Sequence, residues 1–132
     1  KDFKDMKIIF LCIVVLSCSS RVAVETSHYK NGSVMYENQI SNKKLNGISK
    51  YWDKDGDLIN EVEYLNDKLH GEWIEYYKSG NIKAVTMYKF DRKEGMKTTF
   101  YDNGIKQSET LYKDDIAVST TIRWDNNGKI LE

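Results

Sequence analysis

Residues Gly71 to Glu94 read GEWIEYYKSGNIKAVTMYKFDRKE, and this stretch is the unit that the chain repeats. Laid out in rows of 24, the sequence places a glycine in one column at Gly32, Gly56, Gly80, Gly104 and Gly128. A second column holds Gly47, Gly71, Gly95 and then Ser119. A third, four residues before each glycine of the first, holds His28, Trp52, Tyr76, Phe100 and Trp124. A fourth, eight residues after it, holds Ile40, Tyr64, Tyr88 and Tyr112. Self-similarity at one fixed period is the mark of a repeat array.

The first-column glycines end turn dipeptides: Asn31-Gly32, Asp55-Gly56, Ser79-Gly80, Asn103-Gly104 and Asn127-Gly128. Such pairs between β-branched and aromatic runs signal hairpins. Trp73, Ile74, Tyr76 and Tyr77 precede the turn, and Ile82, Val85, Thr86 and Tyr88 follow it. The expected fold is all-β, an elongated antiparallel meander of tandem hairpins. A three-residue loop, Lys78-Ser79-Gly80, pairs Tyr76 with Ile82 and unites Ile74 and Tyr76 with Ile82, Ala84, Thr86 and Tyr88 on one face. The other face then carries Tyr51, Ile59, Leu65, Trp73, Tyr77, Val85, Met87 and Tyr101 among Glu37, Glu61, Glu63, Lys83 and Glu109. Six-residue polar connections, Asn66 to Gly71 and Phe90 to Gly95, would join the hairpins.

The 132 residues suit one domain, and 20 basic against 20 acidic residues leave no field that would draw nucleic acid. Both cysteines, Cys12 and Cys18, precede the repeats, so no disulfide can staple them. From Met6 the chain shows a basic Lys7, nine apolar residues from Ile8 to Leu16, then small residues. As a helix that run would rise roughly 14 Å, against about 30 Å for a bilayer core. Residues 1–17 therefore read as a signal helix, with Lys1 to Asp5 upstream of the natural start. Val15, Leu16, Ser17 and Cys18 resemble a bacterial lipobox. The resemblance implies lipidation of Cys18, a short tether over 18–21, and a chain anchored to the membrane of the cell envelope, on the periplasmic or surface side.

Gly71, Trp73, Tyr76, Tyr77, Gly80 and Ile82 form a pattern G-x-W-x-x-Y-Y-x-x-G-x-I that resembles the MORN-repeat variant, the repeat of bacterial proteins catalogued as YwqK-type antitoxins. The likeness covers residues 22–132, with Ser49, Lys97 and Thr121 where other rows would carry the tryptophan. It implies an elongated sheet used for protein contacts, with a toxin as one conceivable partner.

Chemistry is sparse. His28 and His70 hold different places in their repeats, and no nucleophile with its base stands out. Asp53, Asp55, Asp57 and Glu61 approach a calcium loop, but Leu58 and Tyr64 stand where it needs glycine and glutamate. A hairpin turn accounts for the stretch, and neither a metal nor another cofactor is implied. An aromatic patch with a charged surround has the composition of a contact surface, here Tyr51, Trp73, Tyr77, Met87 and Tyr101. The expected function is a non-enzymatic protein-interaction module at the bacterial envelope, with an antitoxin or a carbohydrate-binding lipoprotein as alternatives.

Overall fold

The computed structural model describes residues 22–131. Ten of its eleven strands pair into hairpins or their links: β1 (Ala23–His28), β2 (Val34–Ser41), β3 (Lys44–Trp52), β4 (Leu58–Leu65), β5 (Lys68–Tyr76), β6 (Ile82–Lys89), β7 (Arg92–Phe100), β8 (Lys106–Lys113), β10 (Ile122–Trp124) and β11 (Ile130–Leu131). The short β9 (Ile116–Ala117) pairs β8 ahead of β10 on the same side. All lie in a single sheet whose order follows the chain, and every pairing is antiparallel. The fold is the all-β meander of hairpins that the 24-residue period implies. The signal helix expected over 1–17, and the lipidation of Cys18 and tether expected over 18–21, fall outside the described residues.

Each glycine turn is built alike. Tyr77 N donates to Asn81 O at 2.8 Å and Gly80 N to Tyr77 O at 2.9 Å, which makes Lys78-Ser79-Gly80 a three-residue loop with Gly80 at φ +86°. Only glycine takes that angle without a Cβ penalty. Tyr76 pairs with Ile82 as the loop length requires.

One residue later the expected register fails. Lys83 is inserted as a bulge, so Glu75 pairs with Ala84, Ile74 with Val85 and Trp73 with Thr86. Directly paired residues share a face, and an extra residue on one strand exchanges that strand's faces. Ala84, Thr86 and Tyr88 therefore lie with Trp73, while Val85 and Met87 lie with Ile74. The face that united Ile74 with Ala84, Thr86 and Tyr88 does not exist. The same insertion falls at Met35, Ile59 and Gln107. No glycine marks it, which is why sequence pattern misses it.

The connections between hairpins are also shorter than expected. Asn42-Lys43, Asn66-Asp67, Phe90-Asp91 and Asp114-Asp115 are two-residue turns with both φ values between +47° and +70°. This is the turn whose twist matches that of flanking strands, and pairing resumes at Lys44, Lys68, Arg92 and Ile116. The second-column glycines therefore sit within strands. At Gly71, three residues of β5 oppose Glu63 alone, between the pairs Val62–Trp73 and Tyr64–Leu69.

A single sheet has no second layer to complete a core. Among the described residues the only buried apolar side chains are Val62 and Ala84, each 4% exposed, joined by buried Ser41, Ser49, Thr86 and Thr110. Apart from Ser41 these small side chains share the Trp73 face, where larger neighbours cover them.

Candidate functional site: two faces and a turn ladder

The Trp73 face is dense, and its aromatic side chains are engaged with one another, although the buried Asn38 Oδ1 and Ser49 Oγ meet no hydrogen-bond partner among the described residues. The Trp73 ring lies 5.8 Å from that of Tyr88, and its Nε1 donates to Asn60 Oδ1 at 3.1 Å. Tyr51 packs against Tyr36 with ring centres 6.4 Å apart. Burial first, then a hydrogen bond with the Tyr51 hydroxyl, pushes the Tyr64 hydroxyl up to about 12. Ser49, Lys97 and Thr121 stand in the Trp73 column, and Ser49 is fully buried. Indole is thus one of several fillings of a position that neighbouring aromatics also cover.

Tyr77 and Tyr101 belong to neither face but to the glycine-turn edge. Tyr29, Tyr77 and Tyr101 donate their hydroxyls to the carbonyls of Trp52, Phe100 and Trp124, one repeat onward, at 2.8, 2.8 and 2.9 Å. Beside them Asn31, Asn81 and Asn103 donate Nδ2 to Lys54 O, Asp102 O and Asn126 O at 2.8, 2.6 and 3.0 Å. Where the tyrosine column carries aspartate, the carboxylate folds inward. Asp53 Oδ1 accepts from Asp57 N at 3.0 Å and Asp55 N at 2.9 Å, and these backbone donors hold its carboxyl below the usual range. Lys78 reaches Asp55 at 3.3 Å and Asp57 at 3.5 Å. The acidic run of the second repeat is a capped turn and a link to the third.

The opposite edge is laced in the reverse direction. Asp67, Asp91 and Asp115 each exchange two bonds with the preceding repeat, donating N–H to Leu45 O, Leu69 O and Lys93 O. Their carboxylates accept from the same residues' N–H at 2.7, 2.9 and 2.8 Å. A net contribution of about 1 kcal/mol per bond is typical, so these edges reinforce the backbone ladder at both ends.

The Ile74 face differs. Ile48, Met96, Leu111 and Ile122 are 43, 38, 39 and 47% exposed there, with Ile82 at 40%. Apart from Ile59, 39% exposed at its bulge, no large apolar side chain of β2 to β8 outside the Ile74 face is exposed to that degree. Met96 and Leu111 are direct cross-strand partners, as are Ile74 and Val85. Charged residues punctuate the row: Lys50 pairs with Glu61 at 2.8 Å and Lys106 with Glu109 at 3.1 Å. The sheet thus divides the five expected contact residues. Tyr51 and Trp73 share one face, Met87 lies on the other, and Tyr77 and Tyr101 bind the turn edge. The exposed row was hidden from sequence reasoning by the bulges, since its members change strand parity at each one.

His70 packs against Phe90 with ring centres 4.7 Å apart, and His28 lies in the first strand. No group of three metal-capable side chains converges among the described residues.

Fold, period and edge lacing together define an open, single-sheet β-repeat protein. The MORN repeat variant matches three tandem segments, residues 45–66, 69–90 and 93–114, which together make up half of the chain, and the chain belongs to that family. Repeats of this kind are generally modules for protein or membrane interaction. Comparison with curated proteins finds no match.

Proposed function

We propose that the chain is a non-enzymatic protein-contact module, held at the bacterial envelope by lipid on Cys18, whose contact surface is the Ile74 face. The observation that carries this reading is the concentration of exposed apolar side chains on that face. Contiguous apolar surface with charged neighbours is the usual make-up of a docking surface. Met87 belongs to this surface. The polar tips of Trp73, Tyr51, Tyr77 and Tyr101 are already engaged within the sheet, which leaves them less to offer a partner and gives a sugar-stacking platform little support. A toxin is one partner this surface could mask, and that version requires rescue on co-expression with a neighbouring toxin gene.

The test uses the lipidated chain to capture proteins from membranes. The wild type is expected to recover a partner that the double variant Met96→Ser/Leu111→Ser loses and Trp73→Ala keeps. Loss with Trp73→Ala alone would move the surface to the other face. Anchoring has its own test: palmitate should label the wild type and not Cys18→Ala.

A further inference from the structure

The chain holds four Asn-Gly pairs, at Asn31, Asn46, Asn103 and Asn127. Three sit in glycine turns whose backbones are nearly identical. Gly32 N, Gly104 N and Gly128 N donate to Tyr29 O, Tyr101 O and Asp125 O at 3.0, 2.9 and 3.0 Å. All three asparagines are exposed. Their side chains differ. Asn31 is held at both ends, Nδ2 on Lys54 O at 2.8 Å and Oδ1 on Ser33 N at 3.1 Å. Asn103 is held the same way, by Asn126 O at 3.0 Å and Ile105 N at 3.1 Å. The Asn127 side-chain amide meets no hydrogen-bond partner among the described residues, because Asp125 Oδ1 takes the N–H groups of Asn127 and Lys129 instead. Asn46 lies inside β3, between Leu45 paired with Ile40 and Gly47 paired with Tyr64.

We infer that Asn127 is a site of spontaneous deamidation and isoaspartate formation, and that side-chain bonds between repeats protect Asn31 and Asn103 while strand pairing of its backbone protects Asn46. The Gly128 backbone nitrogen gives up its proton to hydroxide and forms a bond to Asn127 Cγ. The bond from Cγ to Nδ2 breaks and ammonia leaves. Water then opens the five-membered imide at one carbonyl or the other, giving aspartate or isoaspartate. Glycine, without a Cβ, lets the nitrogen approach most freely. To swing Cγ toward that nitrogen Asn31 must first surrender three hydrogen bonds, the third from Ser33 Oγ at 2.7 Å, and Asn103 two, whereas Asn127 surrenders none among the described residues. The step also has a structural sense. At Asn31 or Asn103 it would exchange a donor for a carboxylate facing a carbonyl oxygen and unlace two repeats. At Asn127 no such bond is lost.

The full chain is incubated at mildly alkaline pH, and isoaspartate at each site is followed by peptide mapping and by labelling with an isoaspartyl methyltransferase. The expected result is accumulation at 127 several-fold faster than at 31 or 103, with 46 slowest. In urea the four rates should converge, since only the folded sheet and its side-chain bonds separate them. Equal rates in the folded chain, or a lead for 31, 46 or 103, would overturn the inference. So would an Asn127 that stays intact while the unfolded chain reacts.

Discussion

At the scale of single residues, the two glycine columns do different jobs. A Cβ on Gly80 would meet nothing within 4 Å, so Gly80→Ala costs only the left-handed backbone, about 1 kcal/mol. At Gly71, with φ +115°, the new Cβ would land on the Glu63 carboxylate, which folds beneath the glycine to accept Glu72 N at 3.4 Å. Gly71→Ala is therefore expected to cost at least about 1 kcal/mol more than Gly80→Ala, measured by urea unfolding. Tyr64 offers a pH test. Its hydroxyl titrates near 10.0 when unfolded and is pushed up to about 12 by burial and by Tyr51. The unfolded chain therefore releases this proton first. Stability should hold below pH 10 and fall as pH rises from 10 towards 12. Tyr64→Phe should make that fall shallower, and an unchanged slope would show that burial of Tyr64 is not its source.

At the scale of elements, the turns between hairpins store removable strain. Lys43 sits at φ +64°, exposed, in the second position of a two-residue turn that favours glycine there. Lys43→Gly is expected to raise stability by about 0.5–1 kcal/mol, read as a higher urea midpoint at unchanged slope. Asp91 at the equivalent position should not tolerate the change, because its carboxylate accepts Leu69 N. Asp91→Gly relieves the same φ but leaves that N–H without its partner, and net destabilisation is the expected outcome. These turns were poorly legible beforehand. Asn66-Asp67 and Phe90-Asp91 carry no glycine, and Phe90 in particular is a poor candidate for φ +50° on propensity alone. Pairing of the flanking strands imposes the conformation, and no local signal announces it.

For the whole molecule, stability in a repeat array is close to a sum of units and nearest-neighbour interfaces. Removing residues 71–94 takes out one full period and joins His70 to Gly95, which keeps every column in register. The shortened chain should fold to the same sheet, with β-type circular dichroism and a cooperative but lower unfolding midpoint. Removing one residue fewer should abolish cooperative unfolding, because each later strand would present its faces inverted. If both deletions behave alike, the period does not govern the stacking.

The period, the all-β class and the five glycine turns were readable from the residues alone, down to the three-residue loop that pairs Tyr76 with Ile82. Those features are local: a dipeptide able to take positive φ, flanked by side chains that favour extended backbone, repeats its instruction in every row. Which face each residue joins was settled only by the sheet. The insertions at Lys83 and its counterparts bear no residue signature, and one extra position reverses the parity of all that follows on the strand. For the same reason the exposed apolar row, and the lacing that engages Tyr77 and Tyr101, became visible only once neighbouring repeats stood side by side.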